Sequence, residues 1–173
     1  MKQFLLTAIA MVAFATTKAQ QVTLNVVLKP IQTIVVNDEQ KTVNLEYNTT
    51  NDYLNGVTKI NKDHLTIYST GGFQVKVKAN VANMQLSGKS MSVGSVKLTA
   101  SAGSKALNNA SYQNGLALTD SETTLVSSSN GAVNNNINVE YTGAGANTYI
   151  DNYVPNQNPS TYTTNLMYTI VSA

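Results

Sequence analysis

Apolar and polar residues alternate with a period of two along most of this chain, and a helical period scarcely appears. Val22, Leu24, Val26 and Leu28 share one parity, and after Pro30 a second apolar run extends from Ile31 to Val36, so the pattern predicts two strands joined at the proline. Val43, Leu45 and Tyr47 alternate with Asn44 and Glu46. The polar stretch Asn48 to Gly56 then reads as a loop, and Leu65 and Ile67 open a short strand that ends at the turn signal Thr70-Gly71-Gly72. The clearest half-buried strand is Phe73–Ala79, with Phe73, Val75, Val77 and Ala79 facing a core and Gln74, Lys76 and Lys78 facing water. Lysines on an outer face also discourage pairing with a foreign sheet.

Weaker strands are predicted at Met84 to Leu86 and at Met91 to Ala100, and a loop-like region from Ser101 to Ser129 follows. Ile137, Val139 and Tyr141 alternate with Asn138 and Glu140. A crossing at Thr142 to Asn147 leads to a short strand at Tyr149 to Val154 and a turn around Pro155 and Pro159. Tyr162, Thr164, Leu166, Tyr168 and Ile170 have one parity and Thr163 to Val171 the other, which predicts a long last strand. Seven to nine strands at this spacing, with no convincing helix, indicate an all-β fold: an antiparallel β-sandwich, immunoglobulin-like or Greek-key. A Greek-key barrel is the alternative.

The first residues modify that picture. Lys2, the apolar run Phe4 to Ala15 and the close Thr17-Lys18-Ala19 form a secretory signal peptide over residues 1–19, too short to span a bilayer. The chain lacks cysteine, so the bacterial lipoprotein route is closed. Cleavage after Ala19 leaves residues 20–173, 154 residues, as a single β-sandwich domain destined for the extracellular space or cell surface, or for the periplasm. Lys2 and Lys18 depart with the signal, so nine lysines face nine acidic residues and the formal charge of +2 falls to about zero. With no arginine and no basic stripe, nucleic acid is not an expected partner, and no second apolar segment suggests membrane insertion.

Reactive chemistry is sparse. Thiolate chemistry, disulfides and cysteine-ligated metals are excluded, and a Ser nucleophile would have only His64 for a base, with no G-x-S-x-G elbow. His64 itself, in the polar lead-in Asn61-Lys62-Asp63-His64, reads as a surface residue. The segment Thr42 to Tyr47 echoes Asn136 to Tyr141. Two equivalent paired strands would bring Glu46 and Glu140 together as a carboxylate pair, although solvated outer-face glutamates are the simpler reading. Asp120 and Glu122 are oxygen ligands of the kind calcium takes, but the Asp-rich loop of an EF-hand is missing. No catalytic residue, cofactor or metal set is therefore assigned, and the pattern points away from an enzyme.

Two binding readings stand. Tyr149, Asp151, Tyr153 and Tyr162, in a segment rich in Asn and Gln, offer rings and polar groups to a glycan, the arrangement of a monomeric carbohydrate-binding module. Val22, Leu24, Val26 and Leu28 offer a strand that belongs either to the chain's own sheet edge or to the sheet of a neighbouring copy.

The residues Lys18-Ala19-Gln20-Gln21, Asp52 to Val57, Leu65 to Val77 and Thr161 to Ile170 resemble a group of small secreted β-rich proteins of Bacteroidota, and the likeness spans most of the mature chain. The closing Tyr-Thr-x-x-x-x-x-Tyr-Thr pattern is similar to the last strand of WxL-type surface domains and of fimbrial subunits. The Trp-x-Leu signature is absent, since the chain has no Trp, so peptidoglycan binding does not carry over. The resemblance implies a surface or extracellular setting without a settled activity. Together these readings lead to the expectation of a secreted, non-enzymatic structural or adhesive surface protein, assembled from copies of itself in a fimbria-like manner.

Overall fold

The computed structural model describes residues 20–173. The signal-peptide reading of residues 1–19 lies outside them. Nine strands form two antiparallel sheets that share one core, and two more form a separate hairpin. In chain order the strands are β1 (Gln32–Val36), β2 (Val57–Ser69), β3 (Phe73–Ala79), β4 (Asn83–Leu86), β5 (Lys89–Ser92), β6 (Val96–Ala102), β7 (Ala110–Tyr112), β8 (Leu116–Ala117), β9 (Thr123–Ser128), β10 (Ala132–Gly143) and β11 (Leu166–Ser172). The larger sheet has the order β1-β2-β10-β6-β8, and the smaller has β11-β3-β9-β7. The architecture is the expected antiparallel β-sandwich.

Strict parity builds the core. In β3 every second residue, Phe73, Val75, Val77 and Ala79, is buried while the intervening residues are half exposed. Leu65 and Ile67 of β2, Leu98 of β6, Leu125 and Val126 of β9, and Ile137 and Val139 of β10 meet them from both sheets. Each such side chain removed from water stabilises the fold by roughly 1.5–3 kcal/mol, and no disulfide assists. The β4–β5 hairpin turns at Ser87 and Gly88, both with positive φ (48° and 82°), as the primed two-residue turns require.

Several sequence expectations need correction. The predicted loop at Asn48 to Gly56 contains a helix, α1 (Thr50–Asn55), started by a reciprocal capping box between Thr49 and Asp52. It ends at Gly56, whose φ of +83° leads into β2. The region Ser101 to Ser129 is not simply loop, because it carries β7, β8 and β9. The strand expected at Tyr149 to Val154 is a 3-10 turn at Ile150–Asn152. The long last strand begins only at Leu166, and Val22 to Leu28 joins no sheet of its own chain.

Candidate functional site

The N-terminal segment carries its apolar parity into solvent. Val22, Leu24, Val26 and Leu28 are 87%, 86%, 78% and 87% exposed, and Val27 is 79% exposed. Residues 20–30 take no part in any backbone hydrogen bond among the described residues. The chain is fastened only from Ile31, whose amide donates to Thr70 Oγ1 (3.0 Å) and whose carbonyl accepts from the Thr70 amide (3.0 Å). A run of large apolar side chains held in water is unfavourable unless something covers it.

The two sheets meet at one flank of the sandwich. β1 is the edge of the larger sheet and β11 the edge of the smaller, and the two edges lie next to each other. After β1 the chain leaves β2 through a 3-10 turn at Asp38–Gln40, and residues 42–47 then run past the start of β2 without a backbone hydrogen bond to another segment. Their burial still alternates, with Val43, Leu45 and Tyr47 half-buried and Thr42, Asn44 and Glu46 exposed. Tyr162, Thr164 and Leu166 alternate in the same way ahead of and into β11. Ile34 and Val36 of β1, Val43 and Leu45 after it, and Tyr162, Leu166, Tyr168 and Ile170 in and before β11 pack against the core and are partly buried. Facing residues of the interior strands, such as Leu65, Phe73 and Val75, are 0% exposed. The core is thus fully buried at its centre and only partly covered along this seam, where β1 and β11 meet.

A polar chain runs beneath the seam. His64 Nε2 and the Tyr141 hydroxyl are 2.8 Å apart, and the Tyr141 and Tyr168 hydroxyls 2.6 Å. On its other side His64 Nδ1 meets Gln40 Oε1 at 3.0 Å, while Gln40 Nε2 donates to the Lys62 carbonyl (2.9 Å). That amide orientation makes Nδ1–H the donor, leaving Nε2 to accept from Tyr141. The chain joins β2, β10 and β11, and therefore both sheets.

His64 is 2% exposed, which corrects its reading as a surface residue. The cause is a register shift: Ile137 pairs with Leu65 but Val139 pairs with Asn61, so β2 carries two extra residues there. Asp63 sits in that bulge at φ 50°, its amide donating to Asn138 Oδ1 and its carboxylate accepting from the Ser104 amide. The bulge turns His64 and Leu65, neighbours in sequence, both inward.

Burial holds the His64 pKa below its ordinary value, so the folded imidazole resists a proton that the unfolded chain accepts as pH falls through about 6.5. The unfolded state then binds more protons, and stability must fall as pH drops through that window. Asp38, Asp52 and Asp63, whose pKa values are lowered by hydrogen bonds or by Lys41, act only at more acidic pH. The urea midpoint is expected to fall between pH 7.5 and pH 5.5, and His64→Gln should flatten that dependence. Equal parent midpoints at the two pH values would show that His64 ionises freely in the fold.

The tyrosines expected to meet a glycan are not gathered on one surface. Tyr149 is 8% exposed, packs edge-on against Tyr47 with centroids 5.1 Å apart, and donates its hydroxyl to Ser95 Oγ (2.7 Å). Tyr47 also packs on Tyr53 and donates to the Ala144 carbonyl (2.8 Å), over Gly143, where a β-carbon would collide with its hydroxyl. Tyr162 is half-buried, its hydroxyl donating to the Asn152 carbonyl (2.7 Å). Asp151 is exposed, and Tyr153 is the one ring of the expected set that is open, at 51%.

Glu46 and Glu140 do not come together through paired strands. Glu140 lies in β10 opposite Ile60 and Thr99, whereas Glu46 lies in the unpaired segment, beside an open groove with Thr42, Asn44 and Val57 to Lys59. Glu122 stands 4.0 Å from Lys78 and accepts from Thr169, and Asp120 is exposed beside it. Among the described residues no three His, Asp or Glu side chains are grouped to hold a metal ion, and no helix is long and apolar enough to cross a membrane. Comparison of the chain with protein-family models and with curated proteins finds no match.

Proposed function

We propose that this is a secreted, non-enzymatic structural or adhesive subunit of a cell surface, which assembles by lending the strand at residues 22–28 to another copy. The observation that carries the reading is the exposure of Val22, Leu24, Val26 and Leu28, a strand pattern with no sheet of its own. Strand addition supplies what such a segment lacks, namely backbone hydrogen bonds from a sheet edge and pockets for alternate side chains. Covering each of these side chains contributes roughly 1.5–3 kcal/mol before the cost of association. The export pattern of residues 1–19 supports the location.

The glycan-binding reading is supported less. Two of its three rings are engaged inside the molecule, and sugar recognition by stacking needs open ring faces. Light scattering behind size-exclusion chromatography on residues 20–173, with electron microscopy of the large fraction, tests the proposal. Concentration-dependent polymers are expected. A strict monomer that binds glycans on an array would replace it with the second reading.

A further inference from the structure

The single histidine of the chain sits where the two halves of the sandwich are joined. We propose that His64, Tyr141 and Tyr168 form a proton-operated clip between the sheets, closed while the imidazole is neutral and opened by its protonation, which frees the edge strand β11 before the rest of the fold. The proposal concerns the subunit itself and is independent of the assembly reading.

Among the described residues, the contact between the Tyr141 and Tyr168 hydroxyls (2.6 Å) is the only hydrogen bond that joins a strand of one sheet to a strand of the other. Elsewhere the sheets are held together by apolar packing. The three rings lie against one another, with His64 edge-on to each tyrosine and the centroids 5.8 Å apart in both pairs. Donation along them runs one way. Gln40 fixes the His64 proton on Nδ1, so Tyr141 donates to Nε2 (2.8 Å), and the Tyr141 oxygen is left to accept from Tyr168. Three donors, the two hydroxyls and Nδ1–H, thus meet three acceptors, the Tyr141 oxygen, Nε2 and Gln40 Oε1. A further neighbour, Asn61, turns its Nδ2 toward Nδ1 at 3.4 Å and so offers no acceptor.

A proton on Nε2 upsets that balance. The imidazolium donates from both nitrogens, so four donors compete for the two phenol oxygens and Gln40 Oε1, and one hydroxyl hydrogen is stranded. Burial pushes the Tyr141 phenol up to about 12 and the Tyr168 phenol well above its ordinary value, so neither sheds a proton to relieve the excess. Nor does a carboxylate among the described residues meet the new charge. On β2, Asp63 accepts from the Ser104 amide, and Lys59 and Lys62 are exposed. In the 3-10 turn Asp38 pairs with Lys41 and Glu39 is exposed, as is Glu46 beyond it. Glu140, between the buried Val139 and Tyr141, points to the outer face of β10, and Lys76 and Lys78 point outward from β3 in the same way. β1 and β11 carry no charged residue. The element that yields is β11, because β2 and β10 have a strand on each side whereas β11 is bonded to β3 alone.

Hydrogen–deuterium exchange at pH 7.5 and pH 5.5, corrected for the intrinsic pH dependence of amide exchange, tests the clip. It is read on the full chain (residues 20–173) and, to keep assembly out, on a form lacking residues 20–30, which take no part in any backbone hydrogen bond of the fold. An open state whose histidine titrates near its ordinary value of about 6.5 gains up to about tenfold on the closed state at pH 5.5. The amides of β11 should therefore exchange about tenfold faster at the lower pH, while those between β2 and β10 stay protected. His64→Gln should abolish the difference. Tyr168→Phe should speed β11 exchange already at pH 7.5 and leave it nearly insensitive to pH, and this variant decides the matter if the His64 variant fails to fold. Acceleration shared equally by every strand would make His64 a source of global instability only. That result, β11 exchange indifferent to pH, or a Tyr168→Phe protein with the parent's pH response would each overturn the proposal.

Discussion

A full chain carrying Leu24→Asp and Val26→Asp is expected to lose assembly and keep its fold. The two side chains are 86% and 78% exposed and belong to a segment without backbone hydrogen bonds, so the isolated subunit should melt within about 0.5 kcal/mol of the parent. In the assembled state the same changes forgo roughly 1.5–3 kcal/mol of burial at each position. They also place two carboxylates in an otherwise apolar contact, at a further desolvation cost. The combined loss, on the order of 5 kcal/mol, corresponds to more than about a thousandfold in the dissociation constant between copies. Sedimentation velocity at matched concentrations reads the loss, and circular dichroism melts check that the monomer is intact. Filaments of unchanged length would place the contact somewhere other than this segment.

The expected contrast follows from how the chain divides its apolar residues between a buried set and the exposed set at Val22 to Leu28. Period-two parity made most of the interior legible, because an inward residue in a two-sheet sandwich has nowhere else to go: Phe73–Ala79 forms β3 with the expected boundaries and faces, and Ile137, Val139 and Tyr141 point inward from β10. The same parity marked Val22 to Leu28, residues 42–47 and Tyr162 to Leu166, yet none of these is a paired strand before Leu166. Parity reports that a segment suits a half-buried sheet position. It does not report whether the sheet lies in the same molecule.

Other features were hidden for different reasons. The bulge at Lys62 to His64 breaks the alternation locally and buries His64 and Leu65 together, and nothing in the one-dimensional pattern marks a register shift set by the partner strand. The helix α1 did carry a signal in Thr49-x-x-Asp52, a capping box whose short following helix buries no residue and so shows no apolar period. The echo between residues 42–47 and 136–141 is similarity without equivalence, for one copy sits at the centre of the larger sheet and the other pairs with no strand.

Phe73→Ala is expected to be the most damaging single change to the subunit itself. Phe73 opens β3, is 0% exposed, and lies between Ser172 of β11 and Ser128 of β9. Truncating a buried phenylalanine costs about 3–5 kcal/mol, through lost transfer energy and the cavity left behind. A domain of this size holds only about 5–15 kcal/mol of stability, and this one has no cysteine to staple it, so burial must supply nearly all of it. The melting temperature should fall by roughly 6–20 °C in the form lacking residues 20–30, measured by calorimetry so that the strand exchange does not contribute. A drop of under about 1 kcal/mol would show that the core near the β2–β3 turn is not closed as described.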